Sequence, residues 1–137
     1  MALHREHEGL DPRYRLAPDA ALRWANDFDD WVREGHDLVL VAEADEGLVG
    51  LLVAHLAFPI PVYAPDLFAH VDDLYVLPSW RGRGVGRRLL AEAERWARAE
   101  GAGSIQAGVL AANAAGRAFW ARAGTETYSV VVTKPLR

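Results

Sequence analysis

The sequence predicts an α/β (α+β) fold, a single domain over residues 1–137 in the order α, β, β, β, α, β, α, β. Three observations carry this. Two Val- and Leu-rich runs, "DLVLVAEA" and "GLVGLLVAHLA", flank the turn-like "DEG" at residues 45–47, the pattern of a β-hairpin and hence of two antiparallel strands. Further on, the strand-like "AHVDDLYVL" leads through the glycine-rich "WRGRGVGRRLL" into Leu89, Ala93, Trp96 and Ala97 at helical spacing. Finally, 137 residues, 51% hydrophobic and 25% charged, suit one buried core rather than two domains or a disordered chain.

The remaining elements follow in order. "PDAALRWANDFDDWVREG" places Leu22, Ala25, Phe28 and Val32 on one helical face, with Pro18 suited to a first turn and Gly35 to the end. "FPIPVYAPD" has prolines at 59, 61 and 65, which cannot donate ladder bonds inside a sheet and so mark a surface loop. Pro78 ends the strand before the glycine loop, and Gly101 stops the helix after it. "SIQAGVL" reads as a strand, "NAAGRAFWARAG" as a short helix started by Asn113 and stopped by Gly124, and "YSVVVTKPL" as a final strand.

Composition removes several classes of function. Cysteine is absent, which excludes disulfides, thiolate metal sites and a cysteine nucleophile. His4, His7, His36, His55 and His70 show no metal-ligand spacing, so no metal is expected. A formal charge of -4 argues against bulk binding to nucleic acid. No apolar run approaches the roughly 20 residues of a membrane span, and "MALHREHEGL" lacks the apolar centre of a signal peptide. The expectation is a cytoplasmic protein with neither nucleic acid nor membrane as partner.

The glycine loop carries the chemistry. Unpaired N–H groups and the positive dipole end at a helix N-terminus attract anions, and glycines let a phosphate approach the backbone. A dinucleotide fingerprint requires glycines at the first, third and sixth positions, but counting from Gly82 the sixth is Arg87. A P-loop needs Gly-Lys-Ser or Gly-Lys-Thr, and Lys134 is the only lysine. What fits is Arg-x-x-Gly-x-Gly, met by Arg81, Gly84 and Gly86 after "LYVLP".

This pattern resembles the acetyl-CoA loop of the GNAT N-acetyltransferases. "VDDLYVLPSWRGRGVGRRLL" is similar to that family's central strand, loop and helix, and "NAAGRAFWARAG" to its following Asn-initiated helix. The resemblance covers about half the chain. It implies the acyl-CoA N-acyltransferase (GNAT) fold, a mixed, mostly antiparallel sheet flanked by helices and splayed between its central strands. It implies acetyl-CoA as co-substrate, and an acetyl group transferred directly to a primary amine of a small molecule or peptide in a ternary complex. An alternative is a GNAT-like module that binds an acyl-CoA as a sensor or structural unit with little or no catalysis.

Residue by residue, the resemblance assigns the pyrophosphate to the backbone of Gly82, Arg83, Gly84, Val85, Gly86 and Arg87, with Arg81 adding charge. Backbone groups of Leu74, Tyr75 and Val76 would pair with the pantetheine arm like an added strand. Asn113 matches the family's cofactor contact, and is also a natural helix cap. Asp72 stands where several members carry a catalytic Glu. Attack needs an unprotonated amine, hence a base, and strand alternation would send Asp72 and Asp73 to opposite faces unless a bulge intervenes. Where many members use a Tyr to protonate the leaving thiolate, this chain has Trp120, whose indole donates a hydrogen bond but yields no proton near neutral pH. Tyr75, Tyr128 or water could substitute, or Phe119 and Trp120 are core residues.

Two further expectations concern the first half of the chain. "MALHREHEGLDPRYR" looks like the tail of the family's first helix and its loop, so the family's first strand is expected to be missing, and an open sheet edge there favours a homodimer. Trp24, Asp27, Asp29, Asp30, Trp31, Phe58 and Tyr63 would line the acceptor side of the cleft, where acids and aromatics suit a cationic amine. The three aspartates serve equally well as a solvated helix face.

Overall fold

The computed structural model describes residues 38–58 and 66–136. The helix expected near residues 18–35, the proline loop at 59–65, the question of a first strand and every proposed acceptor residue except Phe58 lie outside that range. Phe58 is exposed at the end of a strand.

The hairpin forms where the sequence places it. β1 (Leu38–Ala44) and β2 (Gly47–Ala57) pair antiparallel around Asp45 and Glu46. Gly47 takes φ +118, a backbone angle side chains disfavour. β2 in turn pairs antiparallel with β3 (Phe68–Val76), and β3 pairs parallel with β4 (Ser104–Ala107), giving a mixed sheet in the order β1-β2-β3-β4. Between β3 and β4, after a 3-10 turn at Pro78–Trp80, runs helix α1 (Val85–Ala99); α2 (Ala114–Arg122) follows β4.

α1 and the sheet bury one another. Leu89 and Ala93 of α1 meet Leu52, Ala54 and Val71 of β2 and β3, all nearly inaccessible to water. Gly50 lets the helix lie this close: a Cβ there would come within 3.1 Å of Leu89 and Val85 side-chain carbons. α2 adds Trp120 to the edge of the same cluster.

Two features open a cleft. The β3–β4 ladder runs only from Phe68–Ser104 to Val71–Ala107. β3 continues to Val76, so residues 72–76 have no ladder partner on that side among the described residues. At the same point β3 bulges: Val53 pairs with Asp73 and Ala54 with Val71, leaving Asp72 out of register. An unpaired residue bends its strand and increases the local twist, and the β3–β4 ladder ends at the residue before it.

The final strand expected at "YSVVVTKPL" does not form. Residues 125–136 adopt neither helix nor strand, and all are exposed. β-branched residues make a segment able to be a strand, but a ladder requires a partner, and within one chain none of the described strands pairs with this one. The strand expected at "SIQAGVL" is likewise shorter, ending at Ala107.

Candidate active site

The glycine loop joins the end of β3 to the first turn of α1, and its shape follows from its glycines. Gly82 (φ +76) and Gly84 (φ +84) lie in the left-handed region, and a Cβ at either would meet nothing within 4 Å. Their bare faces are therefore backbone open to an approaching group. Gly84 caps α1 without any side-chain hydrogen bond. The bond entering the helix from this cap runs from Arg88 N–H to Gly84 C=O at 3.0 Å. The amides of Val85, Gly86 and Arg87 have no acceptor four residues back inside the helix, as in any first turn. Gly86 also admits Phe119: a Cβ there would approach the ring at 3.2 Å.

The arginines of the loop are anchored. Arg81 Nε–H donates to the Val76 carbonyl at 2.8 Å, and its guanidinium lies 5.2 Å from the Tyr75 ring centre. Arg83 stacks on Trp80 at 4.8 Å. Each ring face is electron-rich and attracts a cation, so two positive charges are held beside the loop. Arg87 and Arg122 border a shallow groove between α1 and α2, floored by Leu90 and Phe119.

On β3 the two aspartates part, with alternation of burial surviving the bulge. Asp73 is buried at 8% exposure and Asp72 faces outward. The Asp72 carboxylate Oδ2 lies 2.7 Å from His55 Nδ1, the two side chains 25% and 39% exposed. A carboxylate can only accept, so the proton of that bond belongs to Nδ1, and in the neutral ring Nε2 carries the lone pair. His70, the cross-strand partner of His55, lies 5.4 Å away ring to ring. His55 is the site residue that reading the sequence missed: nothing near it in "LLVAHLA" signals chemistry, and only the β2–β3 register brings it to a carboxylate 17 residues away.

The other expected residues fall in separate places. Asn113 caps α2, its Oδ1 accepting from Gly116 N–H at 2.9 Å. Trp120 packs against the core, edge-on to Phe119 at 5.5 Å. Tyr128 is 83% exposed beyond α2. Leu74 and Val76 line the open edge of β3, whereas the backbone groups of Tyr75 face Leu51 of β2. Among the described residues no group of three or more His, Asp or Glu could hold a metal, and no helix is long and apolar enough to cross a membrane.

The sequence pattern of the acetyltransferase (GNAT) family matches residues 3–125. The chain belongs to the GNAT family. It is an acetyl-CoA-dependent N-acetyltransferase by that membership.

Solved structures agree on the GNAT fold. A mutant of the BH1408 protein from Bacillus halodurans superposes with a TM-score of 0.89 at 21% identity, covering 99% of this chain and 88% of that one. Coverage of that extent takes in residues 125–136. Aminoglycoside 6'-N-acetyltransferase AAC(6')-IG from Acinetobacter haemolyticus gives a TM-score of 0.75 at 22% identity, covering 93% and 89% of the two chains. AAC(6')-Iy, in complex with the bisubstrate analogue CoA-S-monomethyl-acetylneamine, gives 0.74 at 23%, covering 96% and 86%. No curated protein matches the sequence.

Proposed function

We propose that this GNAT enzyme acetylates a primary amine of a small molecule or peptide by direct transfer in a ternary complex. The observation that carries the reading is the open edge of β3 at residues 72–76, which runs from an outward-facing carboxylate to an anion-binding loop. Small-molecule amines are favoured as acceptors because AAC(6')-Iy was crystallised with a neamine-based bisubstrate analogue in the same fold.

The residues suit acetyl-CoA at each point of contact. The amides of Gly82 to Arg87 would hold the pyrophosphate, with the charge of Arg81 and Arg83 alongside. Arg87 and Arg122 would meet phosphate at the adenosine end. Leu74 offers backbone groups to the pantetheine amides, whereas those of Tyr75 face Leu51 of β2; the Val76 carbonyl already accepts from Arg81, so its remaining lone pair alone is offered. When bound, the co-substrate supplies an activated thioester and nothing else.

The protein's own part is to deprotonate the acceptor. Asp72 holds His55 by Nδ1, which fixes the tautomer and leaves the Nε2 lone pair to take a proton from the acceptor ammonium. The carboxylate then stabilises the imidazolium. A positioned base contributes typically 10²–10⁴-fold, so Asp72→Asn and His55→Gln should each lower kcat/KM by about that factor while CoA affinity is unchanged. Loss with Asp72→Asn alone would make the carboxylate itself the base, and retention of rate in both would remove the pair from catalysis. The leaving thiolate takes its proton from water, since Trp120 is spent on the core.

That use of Trp120 is also what favours the second reading, an acyl-CoA-binding module with little catalysis. CoA release measured over a chemically broad panel of amines separates the two. Turnover with any of them supports the enzyme, and tight CoA binding without turnover supports the module.

A further inference from the structure

The His55–Asp72 pair does more than an ammonium acceptor asks of it. A primary amine attacks without further help once it has lost a proton, so its base need only be a proton acceptor within reach. A hydroxyl nucleophile must lose its proton as it attacks, and enzymes meet that demand with an imidazole whose other nitrogen is held by a carboxylate. His55 is held in that way, its Nδ1 lying 2.7 Å from Asp72 Oδ2. The sheet builds the arrangement: His55 stands opposite His70 in the β2–β3 register, and the bulge beside it leaves Asp72 out of that register.

Water has access to the pair. The His55 and Asp72 side chains are 39% and 25% exposed, so neither is sealed in the core. The His70 ring is centred 5.4 Å from that of His55, so a water bonded to one imidazole has the other as a second polar neighbour. When no amine is bound, water is the nucleophile that this base meets.

We propose that the chain also hydrolyses acetyl-CoA, with His55 as the base that activates water. The inference rests on acetyl-CoA lying along β3 as set out above, and not on which amine is accepted. As the water oxygen bonds to the thioester carbonyl carbon, one of its protons passes to His55 Nε2 and the carbonyl electron pair moves onto oxygen. Collapse of that tetrahedral intermediate breaks the C–S bond and releases CoA as the thiolate. The thiolate takes a proton from water, His55 returns its own to solvent, and the acetic acid formed ionises to acetate.

The test incubates the full chain with acetyl-CoA in isotopically labelled water and no amine. Free thiol and acetate should accumulate together over many turnovers, each acetate carrying one oxygen from the solvent. His55→Gln and Asp72→Asn should each lower that rate by about 10²–10⁴-fold, the contribution of a positioned base. Both side chains are partly exposed, so neither substitution opens a core cavity, and calorimetric titration should show that both variants still bind CoA. No acetate above the enzyme-free rate, or a rate that His55→Gln leaves unchanged, overturns the proposal. Amine transfer is followed on the same preparations with a panel that includes neamine. Amide product without labelled acetate overturns hydrolysis alone. Labelled acetate without amide product upholds hydrolysis and counts against the amine acceptor, and CoA binding with neither product overturns both.

Discussion

Gly84 shows how much of the site rests on a single missing side chain. At φ +84 an L-residue is strained by about 1–2 kcal/mol, although a Cβ there would touch nothing. The strain, not a clash, is what a substitution introduces. Gly84→Ala should therefore cost about 1 kcal/mol of stability and, if the loop relaxes to escape it, raise the CoA dissociation constant about tenfold. Isothermal titration alongside thermal unfolding checks both. Trp120 is the contrasting case, a residue whose position suggests chemistry and whose surroundings assign it to packing. Trp120→Tyr removes buried ring area and should destabilise by about 1–3 kcal/mol without raising turnover. A gain in kcat would mean that a phenol at this place reaches the thiolate. These two positions also show what the sequence makes legible at this scale. Gly84 was found by spacing, because a loop's backbone needs are local. His55 was not, because its meaning lies in Asp72, a neighbour created by strand register.

At the level of elements, α2 is short, poorly buried and dependent on its cap. Asn113 accepts from Gly116 N–H, and a Cβ at Gly116 would sit 2.5 Å from the Asn113 side chain, so a larger residue there displaces the cap. Losing an N-cap costs about 1 kcal/mol, whereas aspartate caps as well as asparagine. Asn113→Ala should lower the unfolding midpoint while Asn113→Asp leaves it, and a fall in CoA affinity common to both would then report the side-chain amide acting on the cofactor. The sheet is firmer. Leu52 is fully buried between α1 and its neighbours, so Leu52→Ala should cost about 2–5 kcal/mol, measured by urea unfolding. Elements of this kind are legible because burial imposes a period: β1, β2, β3 and α1 all appear within a residue or two of where hydrophobic spacing puts them. The "YSVVVTKPL" segment obeys the same period without becoming a strand. Periodicity reports the capacity to pair, and pairing needs a partner strand, which none of the described strands supplies here.

The whole molecule is acidic, yet its donor site is not. Net charge is -4, while Arg81, Arg83, Arg87 and Arg88 crowd the loop and first turn of α1, where the helix dipole adds its positive end. Stacking on Tyr75 and Trp80 keeps Arg81 and Arg83 from trailing into solvent. A CoA molecule carries several phosphate charges, so on a chain of net negative charge it meets an attractive loop. Such focusing speeds association by about 10–10³-fold and is erased as the screening length shrinks to a few ångströms. Stopped-flow binding should accordingly show an association rate that falls at least about tenfold from low to high salt, with a dissociation rate that moves far less because the amide contacts are short-ranged. Arg83→Gln should flatten the salt slope of association by removing one of the fixed charges. An association rate indifferent to salt would mean that the loop's amides alone recruit the co-substrate and that the arginines serve only to brace Tyr75 and Trp80.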